Sequence, residues 1–211
     1  TAAFGFSSMI IGIVFGLLLG MLMIRFKDHW GDHLGTGYIL VVRAVPNLIY
    51  LFFIQVWISR WFNLPLVYYQ ERPESWILPV ICLSLGSIAW YALWLRRFMV
   101  DEENKDYVKF AQVKGLSKKA VLKKHVFRNA IIPLAIYLPS DLFFIISGSL
   151  VIENLYAIPG TGGLLTTAIK NQDNNLVQVL VLMYAVLSVL GVFLGDLLIA
   201  WVDPRIKLTE E

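Results

Sequence analysis

The chain alternates between long apolar runs and shorter polar stretches. A helix that crosses a lipid bilayer needs about 20 apolar residues at a rise of about 1.5 Å per residue. Runs of this length lie at about residues 4–24, 38–59, 76–98, 129–152 and 176–202. In lipid, the backbone N–H and C=O groups must be satisfied within the segment that carries them. The pattern therefore predicts five membrane-spanning helices.

Composition agrees with this pattern. Hydrophobic residues make up 58% of the chain and charged residues 16%, which is typical of polytopic membrane proteins and unusual for water-soluble domains. We therefore predict an all-α membrane protein, a polytopic helix bundle that forms a single transmembrane domain over residues 1–211. The first run is too long for a secretory signal and lacks a basic leader, so it is interpreted as a true crossing.

Lysine and arginine are distributed unevenly between the two sides of the predicted bundle. The stretches 25–43, 96–128 and 203–211 carry fifteen of them, and the loops on the other side carry three. The positive-inside rule makes the first set cytoplasmic. The C-terminus is then predicted inside and Thr1 outside, so we expect at least one further span ahead of residue 1.

A charged loop, residues 99–128, separates the third and fourth apolar runs and contains seven lysines. Its acidic start, Asp101 to Glu103, favours the beginning of a helix there, and Tyr107, Phe110 and Ala111 predict one apolar stripe along it. Gly115 is predicted to end this helix, and Ser117 is a natural N-cap for a second, short and basic helix.

A second irregular stretch follows the fourth apolar run. Residues 153–165 contain Pro159, Gly160 and Gly162, which rule out a continuous helix. Their apolar neighbours predict an external, re-entrant loop that folds back onto the protein, because irregular backbone at membrane depth must be shielded from lipid.

Ionisable residues inside apolar runs are costly and are therefore functional candidates. Asp141 lies within the fourth run together with Ser147 and Ser149, and Glu153 lies near its outer end. Two interpretations stay open: these residues line a polar translocation pathway, or they serve close helix packing with Asp141 satisfied by a neighbouring span or partner. Asp196, near the other end of the fifth run, is interpreted as structural.

Enzyme motifs are missing from the sequence. A phosphate-binding glycine loop needs a Gly-Lys pair, which does not occur, and no HExxH, paired-cysteine or GxSxG motif is present. We therefore expect no catalytic residue, metal site or cofactor on this chain. His29 and His33 are four residues apart, but we interpret their segment as a solvated interfacial turn. Cys82 is interpreted as a buried small hydrophobe.

The charged loop carries a family resemblance. Residues 106–133, DYVKFAQVKGLSKKAVLKKHVFRNAIIP, resemble the EAA loop of ABC importer permeases. Ala111 and Gly115 match the second alanine and the glycine of that motif, whereas Lys109 and Phe110 replace its glutamate and first alanine. The ending RNAIIP resembles the oligopeptide and dipeptide branch, which includes OppB-like and AmiC-like permeases.

Two further segments resemble the same family in the same order. Glu153 followed by Pro159, Gly160 and Gly162 resembles its VExxxxxPGxG segment, and residues 203–205 resemble its closing DPR. The resemblance implies a MetI-like permease fold with six spans, of which five lie in this chain. It also implies a segment that couples to ATPases, comprising Ala111, Gly115, Leu116, Ser117, Lys118, Lys119, Ala120 and Val121.

The function implied by this resemblance is that of a permease subunit in a binding-protein-dependent ABC importer of oligopeptides or dipeptides. Such a subunit forms half of the pathway in the bacterial plasma (inner) membrane. Its expected partners are a second permease, two cytoplasmic ATPases that bind ATP and Mg²⁺, an external peptide-binding protein or lipoprotein, membrane lipid and the peptide itself. No nucleic acid is expected.

Two alternatives from other classes stay open. An ion-gradient-driven secondary transporter or channel subunit is favoured by several buried ionisable residues, paired broken helices or an inverted repeat, and the sequence offers little of these. A membrane scaffold without transport activity would be favoured if no polar cavity lay between the spans.

Overall fold

The computed structural model describes residues 2–202, and every regular element in that range is helical. Two π-helical turns and one 3-10 turn accompany the α-helices, at Ile54–Ile58, Leu122–Val126 and Pro73–Trp76. In chain order the α-helices are α1 (Ala2–Arg25), α2 (Trp30–Ala44), α3 (Asn47–Phe53), α4 (Ser59–Phe62), α5 (Ile77–Glu103), α6 (Asp106–Val113), α7 (Lys118–Val121), α8 (Phe127–Ala130), α9 (Ile132–Ala135), α10 (Tyr137–Ser147), α11 (Leu150–Tyr156), α12 (Thr161–Lys170) and α13 (Asn174–Val202).

Three continuous segments are long and apolar enough to cross a membrane: α1, α5 with its preceding turn, and α13 over Asn174–Leu198. Two bent pairs bring the number to five if each pair is one span: α2 with α3 and α4, and α7 to α9 with α10. These segments correspond to the five apolar runs of the sequence. The predicted all-α, polytopic fold is confirmed.

The most extensive helix contact joins α1 to α5. Gly12, Gly16 and Gly20 lie four residues apart on the buried face of α1. A Cβ on Gly12 would come within 2.5 Å of Ser87, and one on Gly16 within 2.6 Å of Tyr91. Small residues at this spacing allow two helix backbones to approach closely, which is the main source of helix association in lipid.

The second apolar run is predicted to be a single helix, but the structure divides it. Helix α2 begins eight residues before the predicted start at 38 and ends at Ala44, and the following helices turn away by 104°. Pro46 explains the break, because its ring disfavours helical backbone at Val45 and it has no N–H to donate. The prediction of a single span at 38–59 rested on the length of the apolar run and did not take Pro46 into account.

The fourth run also differs from its predicted extent of 129–152. It bends by 41° before α10, in a region that contains Pro133 and Pro139, and it ends at Ser147. Gly148 then has φ +74°, a left-handed conformation that stops the helix. Residues 150–156 form the separate helix α11.

The prediction that the acidic residues at the start of the charged loop begin a helix is wrong. Asp101 to Glu103 form the last turn of α5, and the next helix begins only at Asp106. The resemblance at residues 203–205 lies outside the described residues.

An ion pair fixes the start of α2 against α5. The Arg96 guanidinium donates from Nε and Nη2 to the two carboxylate oxygens of Asp32, both at 2.7 Å, and the Asp28 amide donates to the same carboxylate at 3.2 Å. Asp32 is 4% exposed. The interpretation of this segment as a solvated turn is therefore wrong at Asp32, because a partner 64 residues away along the chain buries its side chain.

A double-mutant cycle tests this pair. We expect Asp32→Asn and Arg96→Gln each to lower the melting temperature of the detergent-purified protein, because each leaves a charged group without its partner. The double variant should lose little more than either single one, with a coupling energy on the order of 2 kcal/mol.

The chain offers a matched control at the same end of α5. Lys27 and Glu103 form a 3.5 Å pair whose side chains are 39% and 31% exposed. Solvent screens such a pair, so the cycle of Lys27→Gln and Glu103→Gln should give a coupling energy below about 1 kcal/mol. Equal coupling in the two cycles would contradict a structural role for the buried pair.

Candidate functional site

The turn at Gly115 has the hydrogen bonds of a Schellman motif. The Leu116 amide donates to the Ala111 carbonyl at 3.3 Å, and the Gly115 amide donates to the Gln112 carbonyl at 2.9 Å. Gly115 has φ +84°, and an added Cβ would meet no atom within 4 Å. The position therefore favours glycine for its backbone conformation and not for lack of space.

Ser117 begins the short basic helix α7, as the sequence predicts. Its hydroxyl oxygen accepts a hydrogen bond of 3.3 Å from the Ala120 amide, the contact that defines an N-cap. The helix continues through the π-helical turn Leu122–Val126 into α8. The chain therefore reverses at Gly115 and leads directly back towards the membrane.

The predicted coupling residues divide into an inner and an outer set. Ala111 and Val121 are 5% and 2% exposed, and they pack in one core with residues of α1 and α5. Ala120 is partly buried. The exposed set is Gly115, Leu116, Ser117, Lys118 and Lys119. Only this outer set is available to another protein, while Ala111 and Val121 anchor the loop.

Further exposed apolar residues lie beside the predicted coupling residues. Val113 is 85% exposed and Phe110 61%, and the Lys114 ammonium lies 4.6 Å from the centre of the Phe110 ring. Together with Leu116 they form an apolar patch beside the lysines. The predicted stripe of Tyr107, Phe110 and Ala111 is confirmed at Ala111 and wrong at the other two residues, because Val108 faces inward with Ala111.

Tyr107 ties the loop to its two flanking helices. Its hydroxyl donates to the Glu102 carboxylate at the end of α5 and accepts from the Asn129 amide of α8 at 2.9 Å. Partial burial, followed by the hydrogen bond to Glu102, raises the pKa of the Tyr107 phenol above its usual value. The phenol therefore stays a hydrogen-bond donor at neutral pH.

A first cavity, of about 420 Å³, lies between α1, α5 and α10. Asp141 and Ser149 line it, together with Ser8, Ser87, Trp90 and Tyr91. The Tyr91 hydroxyl donates to Asp141 Oδ2 at 2.5 Å. Two of the four predicted pathway residues therefore border the same cavity.

A second cavity, of about 470 Å³, lies between α10, α12 and α13. Ser147 and Gly162 line it, and so does Tyr184 of α13. The Tyr184 hydroxyl is buried and has no hydrogen-bond partner within the described part of the chain. Ser147 borders a different cavity from Asp141 and Ser149, and Phe144 and Gly148 line both cavities.

Glu153 lines neither cavity. Its side chain is buried, and Oε2 accepts a 2.7 Å hydrogen bond from the Gly163 amide in the first turn of α12. Gly160, the N-cap residue of α12, has no side chain to fill this role. Glu153 therefore caps a helix that begins eight residues after it, at Thr161.

The loop that the sequence predicts to be external is fastened to α10 as well. Pro159 and Gly160 precede α12, and the Thr161 hydroxyl donates to the Ser147 carbonyl at 2.8 Å. A Cβ on Gly162 would come within 2.8 Å of the backbone of Leu150. Helices α11 and α12 therefore pack backbone to backbone around the Glu153 carboxylate.

Comparison with known proteins assigns the class. Residues 12–208 match the family model described as "Binding-protein-dependent transport system inner membrane component". The chain belongs to this family.

Similar proteins carry names from peptide transport. The oligopeptide transport system permease protein AmiC of Streptococcus pneumoniae is 33% identical over all of this chain, which spans 43% of that protein. The dipeptide transport system permease protein DppB of Bacillus subtilis is 30% identical over 97% of this chain and 66% of its own length. The glutathione transport system permease protein GsiC of Escherichia coli is 29% identical over 95% of the chain. The chain therefore spans less than half of AmiC and about two thirds of DppB.

A solved structure has the same fold. The crystal structure of an amino acid ABC transporter with histidines superposes with a TM-score of 0.65 at 14% identity, over 97% of this chain and 90% of that one. At this identity the likeness supports the fold alone. It agrees with the predicted MetI-like permease architecture.

Two adjacent glycines test the packing around Glu153. We expect Gly162→Ala to lower the melting temperature clearly, because the new Cβ would push against the Leu150 backbone, and overpacking costs about 1–3 kcal/mol. Gly163→Ala is the matched control, since its Cβ would lie 3.8 Å from Glu153 Oε2, an ordinary contact. Similar melting temperatures for the two variants would contradict this packing.

Proposed function

We propose that this chain is a permease subunit of an ATP-driven importer of oligopeptides or dipeptides, and that it forms half of the translocation pathway in the bacterial plasma membrane. Its C-terminus is cytoplasmic in this proposal. Its partners are a second permease, two cytoplasmic ATPases that supply the ATP and Mg²⁺ chemistry, and an external peptide-binding protein. The peptide cargo is proposed from the names of AmiC and DppB.

One observation carries the proposal: the loop at Gly115 presents an apolar patch framed by lysines, on a turn whose other face is built into the membrane core. Phe110, Val113 and Leu116 are exposed there, while Val108 and Val121 are 1% and 2% exposed. Apolar residues in a basic rim are typical of a protein-docking surface. A loop anchored in this way moves together with the helices that hold it.

Coupling to ATP hydrolysis needs one further condition. The ATPases must contact this surface differently in their two nucleotide states, because a partner with equal affinity for both conformations shifts no equilibrium. The tight turn at Gly115 suits this role because its Schellman hydrogen bonds hold α6 and α7 in a fixed relation. The cavity beside Asp141, with a carboxylate and hydroxyl groups in its lining, supports a transport role over that of a membrane scaffold.

Reconstitution tests the class of transporter. The complex purified in mild detergent through a tag on this chain should contain an ATPase and a second permease, and in proteoliposomes it should take up alanine peptides only when ATP and the binding protein are present. Uptake driven by an ion gradient without ATPases would instead establish a secondary transporter or channel.

The lysines of the docking surface provide a second prediction. We expect Lys118→Glu with Lys119→Glu to reduce peptide uptake per ATP hydrolysed by at least about tenfold, because the reversed charges repel the partner surface. The double reversal Arg72→Glu with Lys170→Glu, at exposed positions in loops predicted to be external, is the control and should keep the wild-type ratio of peptide uptake to ATP hydrolysed. Normal uptake by the lysine variant would remove the coupling role.

The backbone conformation of Gly115 provides a further prediction. Gly115→Ala should lower uptake per ATP hydrolysed, because a residue with a Cβ at φ +84° costs about 1 kcal/mol or more and disfavours the turn. Gly37→Ala is the matched control: its Cβ also meets no atom within 4 Å, but the residue lies in the regular helix α2. Equal uptake by the two variants would show that the conformation of the turn does not matter for coupling.

A further inference from the structure

Asp141 is a carboxylate at membrane depth, and no cationic side chain of the described residues pairs with it. One of its oxygens accepts the Tyr91 hydrogen bond at 2.5 Å. Within residues 2–202, no hydrogen bond reaches its other oxygen and no ion pair includes it. The carboxylate lines the first cavity, so it is accessible to a ligand there.

Basic residues on the helices around the cavity are engaged elsewhere. Arg96 is paired with Asp32, and the Arg97 guanidinium lies 5.3 Å from the centre of the Trp94 ring. Arg25 lies at the last residue of α1, over the ring of Phe26 at 5.5 Å. A charged group inside a membrane protein is costly unless it is paired. A cation that pairs with Asp141 would therefore come from outside the described chain.

Two hydroxyl groups of the cavity, those of Ser8 and Ser87, are left as acceptors. The Ser8 hydroxyl donates to the Gly5 carbonyl at 2.8 Å, and the Ser87 hydroxyl donates to the Leu83 carbonyl at 3.5 Å. Both hydroxyl hydrogens are thus committed to the backbone, and the oxygen lone pairs are left for a ligand. The Tyr91 hydrogen is committed to Asp141 itself. An ammonium group, with three N–H donors and a positive charge, matches such a set of acceptors.

The walls of the cavity suit the same ligand. Trp90 and Phe144 line it, and aromatic faces attract an ammonium group when water is excluded. No lysine or arginine is among the residues that line it. A volume of about 420 Å³ falls within the range of small-molecule sites, large enough for one end of a short peptide.

We propose that the first cavity is a subsite for the ammonium group of the cargo, with Asp141 as its counter-ion and Tyr91 as the residue that orients the carboxylate. This inference rests on the proposed peptide import, because a peptide supplies an ammonium group at its amino terminus or on a lysine side chain. It gives the translocation pathway a polarity, since one end of the cargo is held next to α5 and α10.

Equilibrium binding to the purified complex, without the binding protein, tests the subsite. Three probes are used: Ala-Ala-Ala amide, its N-acetyl derivative, and N-acetyl-Lys-Ala-Ala amide. We expect the free amine to bind about tenfold more tightly than the acetylated tripeptide, and Asp141→Asn to abolish this difference. Tight binding of the acetylated lysine peptide would identify any ammonium group as the ligand, whereas weak binding would restrict the site to the amino terminus.

A matched variant controls for the loss of a carboxylate at membrane depth. Asp196→Asn removes a carboxylate from α13, outside both cavities, and should keep the preference for the free amine. Tyr91→Phe should weaken the preference while leaving some of it, because the carboxylate remains but is no longer oriented.

The outcomes separate the subsite from the proposed function. No difference between the probes in the wild-type complex, no binding of any probe, or a difference that persists in Asp141→Asn would each overturn the ammonium subsite. Failure of the wild-type complex to take up peptides with ATP would instead overturn the import function, and an amine preference that depends on Asp141 would still stand.

Discussion

The close contact between α1 and α5 is the constraint on which the rest of the structure depends. Lipid offers helices no hydrophobic reason to associate, so van der Waals contact between close backbones has to hold them. Gly12, Gly16 and Gly20 provide that contact along one face of α1. It also positions Tyr91 on α5, and hence the hydrogen bond to Asp141 across the first cavity. A larger residue in place of Gly16 would therefore press against Tyr91, which lines that cavity.

The same packing continues into the charged loop. Ile24 of α1 and Leu95 and Met99 of α5 share one core with Val108 and Val121 of the loop. The loop is therefore an extension of the membrane core and not a separate polar appendage. Well-packed interiors transmit displacement instead of absorbing it. In the proposed function, a force applied to the exposed side of the loop would reach α5 through this core.

Three carboxylates near or within the membrane segments illustrate how different partners define different roles. The Asp32 carboxylate accepts two hydrogen bonds from the Arg96 guanidinium, and this pair fixes α2 against α5. The Glu153 carboxylate accepts a hydrogen bond from the Gly163 amide and caps α12. Within residues 2–202, the Asp141 carboxylate accepts one hydrogen bond, from the Tyr91 phenol, and it lines a cavity. Asp32 and Glu153 are buried and hold helices in place, whereas Asp141 is the one of these three carboxylates that borders a cavity.

The sequence by itself determined what depends on neighbours along the chain. The apolar runs predicted the membrane helices, and Gly115 and Ser117 predicted the helix end and the N-cap, because a left-handed turn and a capping hydroxyl act within a few residues. Only the tertiary structure decided which face of α6 is inside, that Asp32 meets Arg96, and that Glu153 caps a helix while Asp141 faces a cavity. These outcomes depend on which helices lie side by side, and contacts between neighbouring helices leave no periodic signal in a single sequence.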